Sequence, residues 1–158
     1  MKRILLMCTL WSSCLGHAQG VSNALKSITE ARREVIAVLP KVGRQDMAIA
    51  LKQAATRGTK VFLITERASV KKGGYLLNVS HGPESIYTYL YPATLPEAWV
   101  MVDGAWYVTG PGLDMEGTLP ITLSQDSAKR QQLLKWAAAI TKKGPVPRVE
   151  LLKLRFQK

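Results

Sequence analysis

Histidine and cysteine, which supply many nucleophiles and most transition-metal ligands, are scarce in this chain. Cys8, Cys14 and His17 all lie within the first 17 residues, so His81 is the one imidazole available to the rest of the chain. Cysteines and histidines spread in this way do not form a four-ligand zinc site. No nucleophile elbow of the form Gly-x-Ser-x-Gly occurs. The sequence therefore predicts no cofactor and no metal, and it offers few groups for catalysis.

The first residues have the features of an export signal. Lys2 and Arg3 precede the apolar run Ile4–Trp11, which has the length of a signal-peptide core and is too short to span a bilayer. Gly16 and Ala18 supply small residues at the positions that a signal peptidase reads. We therefore predict a signal peptide over residues 1–18 and a periplasmic or secreted chain. A buried N-terminal strand or helix is the alternative.

Charge is unevenly distributed along the chain, whose formal net charge is +11. Residues 41–72 carry eight basic and two acidic side chains, and residues 129–158 carry nine and one. Residues 73–128 carry six acidic side chains and no lysine or arginine. Basic segments that meet on one face can bind phosphates or an anionic lipid surface, although solvated faces that keep the protein soluble are the simpler interpretation. The candidate binding residues are Lys71, Lys72, Lys142 and Lys143.

Apolar periodicity predicts alternating helices and strands in one domain over residues 19–158. The unbroken apolar run Val35–Leu39 predicts a buried strand, and Lys60–Thr65, which lacks polar–apolar alternation, predicts a second strand. We expect Val61–Ile64, Phe62 included, to be buried on both faces. A helix between the two strands, Gln45–Arg57, would complete a βαβ unit. We also expect helices at Val21–Arg33 and from Asp126 to about Thr141, a loop at Arg67–Gly74, a helical turn at Tyr75–Val79, strands at Ser85–Tyr91 and Ile121–Ser124, a hairpin of Trp99–Asp103 with Trp106–Gly110, and a strand or short helix at Arg148–Phe156. The predicted fold class is α/β, a layered sandwich in which helices flank a mostly parallel mixed sheet.

One strand carries tyrosines at every second position. Tyr87, Tyr89 and Tyr91 would share one face of that strand. Such a row can stack on bases or sugars, but it more often packs against a neighbouring helix or strand. We predict the packing role.

Four stretches, taken in order, resemble a single half-unit of the phospholipase D superfamily. They are Ile28–Val38, Ala48–Ile64, Val100–Gly104 with Val108–Gly110, and Asp126–Trp136. The resemblance spans roughly residues 22–141. It implies a fold in which two half-units pair, and thus a homodimer or a phospholipase D-like partner subunit.

The superfamily's motif is His-x-Lys-x(4)-Asp, followed by Gly-Ser. The resemblance implies that one histidine attacks phosphorus, a second protonates the leaving group, and the lysine holds phosphoryl oxygens. With the motif's aspartate on Asp103 and its glycine on Gly110, the histidine position falls on Pro96 and the lysine position on Ala98. Pro111 stands where the serine is expected. The nucleophile and its cation are therefore both missing, and no catalytic residue is assigned beyond these degenerate positions.

Three functional hypotheses follow. The first is a catalytically degenerate exported protein that serves as a binding or structural component on an anionic surface or another protein. The second is a phosphodiesterase or nuclease that is active only with a partner subunit supplying the missing residues. The third is a basic exported protein that binds DNA, whose affinity would fall steeply as salt rises.

The signal-peptide hypothesis is tested by the N-terminus of the protein recovered from cells. Mass spectrometry of the envelope or secreted fraction should find a chain that begins at Gln19, because cleavage is expected after Ala18. A cytosolic protein that keeps Met1 would contradict export. A diacylated Cys14 would instead identify the less favoured lipoprotein route.

Overall fold

The computed structural model describes residues 15–157, with side chains from Gly20 onward. The predicted signal-peptide core Ile4–Trp11 and the lipidation candidate Cys14 lie outside the described residues. The predicted cleavage point after Ala18 falls within the first helix, Leu15–Thr29. No helix in the described part of the chain has the length and apolarity needed to cross a bilayer.

Six strands and five helices make up the described chain. The strands are β1 (Glu34–Leu39), β2 (Lys60–Glu66), β3 (Ile86–Tyr91), β4 (Trp99–Val102), β5 (Trp106–Thr109) and β6 (Thr122–Ser124). The helices are α1 (Leu15–Thr29), α2 (Gln45–Thr56), α3 (Leu76–Ser80), α4 (Ser127–Thr141) and α5 (Arg148–Phe156), with 3₁₀ helices at Arg67–Lys72 and Pro111–Leu113.

The strands form one mixed sheet in the order β3-β2-β1-β4-β5-β6. β1, β2 and β3 run parallel because helices connect them, whereas β4, β5 and β6 pair in antiparallel fashion. The α/β class with flanking helices is confirmed. Antiparallel pairings outnumber parallel ones by three to two, so the sheet is not mostly parallel. The reason is the hairpin, which inserts β4 beside β1 and so places antiparallel strands over half of the sheet.

Each face of the sheet has its own hydrophobic core. One face packs against α1, α2, α3 and α5 through a large aliphatic cluster that includes Ile28, Leu51 and Leu63. The other face packs against α4 alone, through a smaller cluster rich in aromatic side chains. The sheet is therefore covered more fully on the aliphatic side.

The tyrosine row lies on the face that α4 covers, as the packing hypothesis predicts. Tyr89 is buried, and the ring of Tyr91 lies 5.5 Å from that of Trp136 in α4. Phe62 stacks on Tyr87 at 5.5 Å but is only half-buried. The expectation that β2 is buried on both faces is thus wrong at Phe62, because one helix does not cover this end of the face.

The sequence of Arg148–Phe156 is compatible with a strand or a short helix, and the structure shows a helix. After α4 the chain crosses the outer edge of β3, where the Val146 N–H donates to the Thr88 carbonyl at 2.7 Å. It then forms α5, whose Leu151 is fully buried. This crossing covers an edge strand that would otherwise present unpaired backbone groups.

Several predicted boundaries differ from those observed. α1 ends at Thr29 rather than Arg33, because residues 32–34 give their backbone N–H groups to a side chain described below. Arg67–Lys72 forms a 3₁₀ helix instead of a loop, and the short helix α3 begins at Leu76. The remaining elements lie within a residue or two of their predicted positions.

The two faces of β2 should respond differently to truncation. Leu63→Ala should lower the free energy of unfolding by about 3 kcal/mol, because Leu63 is fully buried in the aliphatic core. Phe62→Ala should cost about half as much, since the Phe62 ring is partly exposed. Chemical denaturation of both variants measures the difference. A larger loss for Phe62→Ala would contradict this assignment of the faces.

Candidate functional site

The sheet edge at the carboxyl ends of the parallel strands gathers the loops around the degenerate motif. β1 ends at Leu39 and β2 at Glu66, and β4 begins beside the end of β1, where Trp99 pairs with Val38. In open α/β sheets, ligands bind outside the carboxyl ends of the strands. We call this region the carboxyl edge. The motif positions Pro96, Ala98 and Gly110 all lie at it.

Ala98 and Gly110 have structural roles, one in packing and the other in a tight backbone turn. Ala98 is buried, and its carbonyl accepts the Gly110 N–H at 2.9 Å. Gly110 has a φ of 128°, and a Cβ atom there would lie 2.5 Å from the Pro120 carbonyl oxygen. The close approach of Pro120 therefore requires glycine at position 110.

Pro96 is exposed beside a cavity of about 250 Å³ between the start of β4 and α4. The cavity is lined largely by apolar side chains, among them Leu95, Trp99 and Trp136. Lys129 and Glu97 are its two charged lining residues, and their charges offset each other. This space lacks the concentrated positive charge that a phosphoryl group requires.

Two carboxylates, Glu66 and Asp114, occupy the carboxyl edge. Glu66 Oε1 accepts the Leu95 N–H at 2.9 Å and so positions the segment before β4. Asp114 is buried; burial raises its pKa, and the negative charge of Glu66 raises it further, against the lowering effect of backbone N–H groups of Asp114 and Lys41. Two carboxyl groups therefore lie close enough at this edge for the charge of Glu66 to affect Asp114.

One arginine of this region, Arg44, is held by hydrogen bonds to other groups. Arg44 donates to both carboxylate oxygens of Asp46, at 2.9 and 2.6 Å, which is the one ion pair within the described residues. Its remaining guanidinium nitrogen donates to the Gly112 carbonyl at 3.1 Å. The hydrogen bond with Arg44 is the main reason that the pKa of Asp46 is lowered. Arg44 therefore holds the 110–115 segment in place and is not free to bind phosphate.

Asp103 lies at the opposite end of β4, about 17 Å from Ala98 at the rise of an extended strand. Its carboxylate accepts the backbone N–H groups of Arg33 at 2.7 Å, Arg32 at 3.1 Å and Glu34 at 3.1 Å. The Asp103 N–H donates back to the Glu34 carbonyl at 2.9 Å, and the Arg33 guanidinium donates to the Asp103 carbonyl. Asp103 thus binds the hairpin tip to the start of β1.

The hairpin turn places Asp103 for this role. Asp103 and Gly104 have φ angles of 52° and 66°, and the Ala105 N–H donates to the Val102 carbonyl at 3.0 Å. Both residue types tolerate this left-handed backbone. Burial raises the pKa of the Asp103 carboxyl, but the backbone donors of Arg33, Arg32 and Glu34 outweigh that effect and hold the pKa below its usual value.

His81 cannot substitute for the missing motif histidine. It follows α3 and precedes β3, which places it at the amino ends of the parallel strands, opposite Pro96 and Ala98. Its exposed ring contacts the Arg148 guanidinium at the start of α5 through Nδ1. The structure therefore separates His81, the one histidine whose side chain is described, from the carboxyl edge.

The candidate binding lysines fall into two groups. Lys71 and Lys72 are exposed at the end of the 3₁₀ helix, against which α5 packs. Lys142 and Lys143 are exposed at the end of α4, on the chain that crosses β3. Helix α5 brings the basic segments 41–72 and 129–158 into contact. Its Arg155 Nη1 donates to the Val70 carbonyl at 2.9 Å.

No protein-family model and no curated protein sequence matches this chain. Solved structures do. NucT from Helicobacter pylori superposes with a TM-score of 0.71 at 14% identity, over 83% of this chain and 92% of that chain. Nuc from Salmonella typhimurium, a phospholipase D family member, gives a TM-score of 0.63 at 14% identity, over 80% and 90%. TrmBL2, an archaeal chromatin protein with a novel mode of DNA binding, gives 0.57 at 8% identity, over 80% of this chain and 50% of that chain.

These likenesses confirm the fold that the four sequence stretches indicated. The described chain has a phospholipase D-like fold.

Sequence reasoning missed the residues that shape the carboxyl edge. Glu66, Asp114 and Arg44 are far apart along the chain and match no motif. The one signal in the sequence is the excess of acidic residues over 73–128, which includes Asp114 but not its neighbour Glu66. Their proximity depends on the sheet order.

Asp103→Asn should destabilise the protein in a pH-dependent way. Because the folded-state pKa is lowered from its ordinary value of 3.8, the carboxylate stabilises the fold above that pH and loses its effect as the pH falls through the folded pKa. The variant should lose about 1 kcal/mol of unfolding free energy at neutral pH, and the difference should shrink in acid.

Asp126→Asn is the matched control for this prediction. Asp126 caps α4 by accepting the Ala128 and Lys129 N–H groups, and asparagine is an equally good N-cap residue. Its unfolding free energy should change little. An equal, pH-independent loss in both variants would contradict the role assigned to Asp103.

Proposed function

We propose that this protein is a catalytically degenerate phospholipase D-like domain that acts as a binding component of the cell envelope or the secreted fraction. The observation that carries the proposal is the composition of the carboxyl edge. In the motif alignment Pro96 and Ala98 stand at the positions of the nucleophile and its cation, and the cavity beside Pro96 has one lysine and one glutamate in its lining, so it carries no excess of positive charge.

The hydroxyl groups near this edge support the same conclusion. Thr65 Oγ1 lies 3.2 Å from the Pro40 carbonyl oxygen, and Ser69 Oγ donates to the Glu66 carbonyl at 2.8 Å. Both side chains are buried, so neither is positioned to attack a substrate. In the described residues, no group of three or more histidine, cysteine or acidic side chains forms a metal-binding cluster that could replace the missing chemistry.

Export and pairing are further parts of the proposal. The charged and apolar N-terminal residues support export, and the phospholipase D-like fold supports association with a second half-unit, either another copy of this chain or a related subunit. A partner that carries an intact His-x-Lys motif would supply activity that this chain lacks.

The proposal predicts no phosphodiesterase turnover by the purified protein. Bis-p-nitrophenyl phosphate, phosphatidylcholine and single-stranded DNA should be hydrolysed no faster by the wild type than by His81→Ala. Loss of an activated nucleophile removes many orders of magnitude of rate. If the protein were an active enzyme that used His81, the wild type would therefore hydrolyse these substrates far faster than His81→Ala. The measurement is turnover across a gel-filtration peak, compared with the protein concentration in each fraction.

Asp114→Asn completes the set of variants, because Asp114 is the buried acid at the carboxyl edge. Turnover that follows the protein peak and disappears in His81→Ala would show that the histidine reaches a substrate. Turnover that disappears in Asp114→Asn would show that the carboxylates carry out catalysis. Either result would overturn the proposal.

A further inference from the structure

The outer face of α5 has an unusual composition for a solvent-exposed helix face. Val149 and Phe156 are 62% and 72% exposed, which makes Phe156 the most exposed large apolar side chain in the described chain. They are separated by seven residues, and Lys153 lies between them at helical spacing, so all three share one face. Water therefore contacts an apolar–basic–apolar stripe.

The inner face of α5 fixes this stripe in place. Leu151 is fully buried, and Leu154 packs against the aliphatic core. At the end of the helix, Arg155 hydrogen-bonds the Val70 carbonyl of the 3₁₀ helix. The helix is therefore docked along its inner face, and the stripe faces outward from a rigid support.

Positive charge surrounds the stripe. Arg67 and Lys153 line one open cleft of about 550 Å³ between the 3₁₀ helix and α5, together with Val149. Lys71 and Lys72 extend the basic surface along the 3₁₀ helix. Glu150 is the single acidic residue of α5 and also lines the cleft. The surface thus keeps a clear excess of positive charge, and none of these cations forms an ion pair with a described residue.

This combination favours a lipid surface over a nucleic acid. Phosphates of either ligand would neutralise the lysines and arginines. An aromatic ring can stack on a base, but an aliphatic side chain such as Val149 gains little from a nucleic-acid backbone. A bilayer interface accepts both apolar side chains into the acyl boundary while anionic headgroups contact the cations beside them.

We propose that the outer face of α5, with the 3₁₀ helix beside it, docks on an anionic bilayer surface, with Phe156 and Val149 inserted at the interface. The helix would lie on the membrane, in keeping with the lack of a spanning helix among residues 15–157. An anionic bilayer would be the partner of the binding component proposed above. The docking itself does not depend on that proposed function; only its role in the cell does.

Vesicle flotation tests the docking directly. The full chain is mixed with phosphatidylcholine vesicles that contain or lack phosphatidylglycerol, and the same preparation is used for every variant so that the N-terminal residues contribute equally. Binding should require phosphatidylglycerol and weaken as salt rises. Phe156→Ser should weaken binding roughly tenfold, because it removes the largest inserted apolar group. Lys71→Glu with Lys153→Glu should abolish binding.

Leu123→Ser is the matched control. Leu123 is 65% exposed on β6, at the sheet edge opposite β3 and far from α5, so its removal should leave vesicle binding unchanged. Because Phe156 is largely exposed, its variant should keep the wild-type unfolding midpoint, which separates loss of docking from loss of folding.

Three results would overturn the proposal. The first is equal binding to neutral and anionic vesicles, and the second is an unchanged affinity in Phe156→Ser. The third is tighter binding to duplex or single-stranded DNA than to anionic vesicles, with no dependence on Phe156, which would identify the basic surface as a nucleic-acid site. None of them requires turnover, so failure here is distinguishable from failure of the degenerate-domain proposal.

Discussion

The carboxylate of Asp103 holds together the two halves of the sheet. It accepts three consecutive backbone N–H groups at the entrance to β1, and its own backbone returns a hydrogen bond to Glu34. These bonds fix the register in which the antiparallel hairpin meets the parallel βαβ unit. Since charge-assisted hydrogen bonds are stronger than neutral ones, a single side chain supports a connection between segments 70 residues apart. Asp103 therefore has a structural role that is independent of any catalysis.

Three of the aligned motif positions have structural roles in the fold. Asp103 and Gly110 lie at the two ends of the hairpin, one as a hydrogen-bond acceptor and the other as a position without room for a Cβ atom. Ala98 is buried in the aliphatic core, and its carbonyl accepts the Gly110 N–H. Pro96, by contrast, is exposed.

Acidic and basic side chains occupy different parts of the domain. Carboxylates occupy the carboxyl edge itself, where burial, together with the negative charge of Glu66, raises the pKa of Asp114. The cations lie beside that edge, on the 3₁₀ helix and α5. Under the proposal made above, an anionic partner would be attracted to this basic flank of the domain.

Local sequence patterns are enough to predict the strands and the hairpin. Unbroken apolar runs such as Val35–Leu39 indicate buried strands, Asp103-Gly104 supplies the left-handed turn, and Asp126 caps α4 through local hydrogen bonds. Each of these features depends on neighbouring residues, so local patterns reveal it. Only the tertiary structure decided that Glu66 lies near Asp114, that His81 lies at the far end of the sheet, and that α5 is a helix docked on the 3₁₀ helix. These contacts join segments many residues apart, and they are set by the order of the strands and by what each sheet face leaves uncovered, which no local pattern encodes.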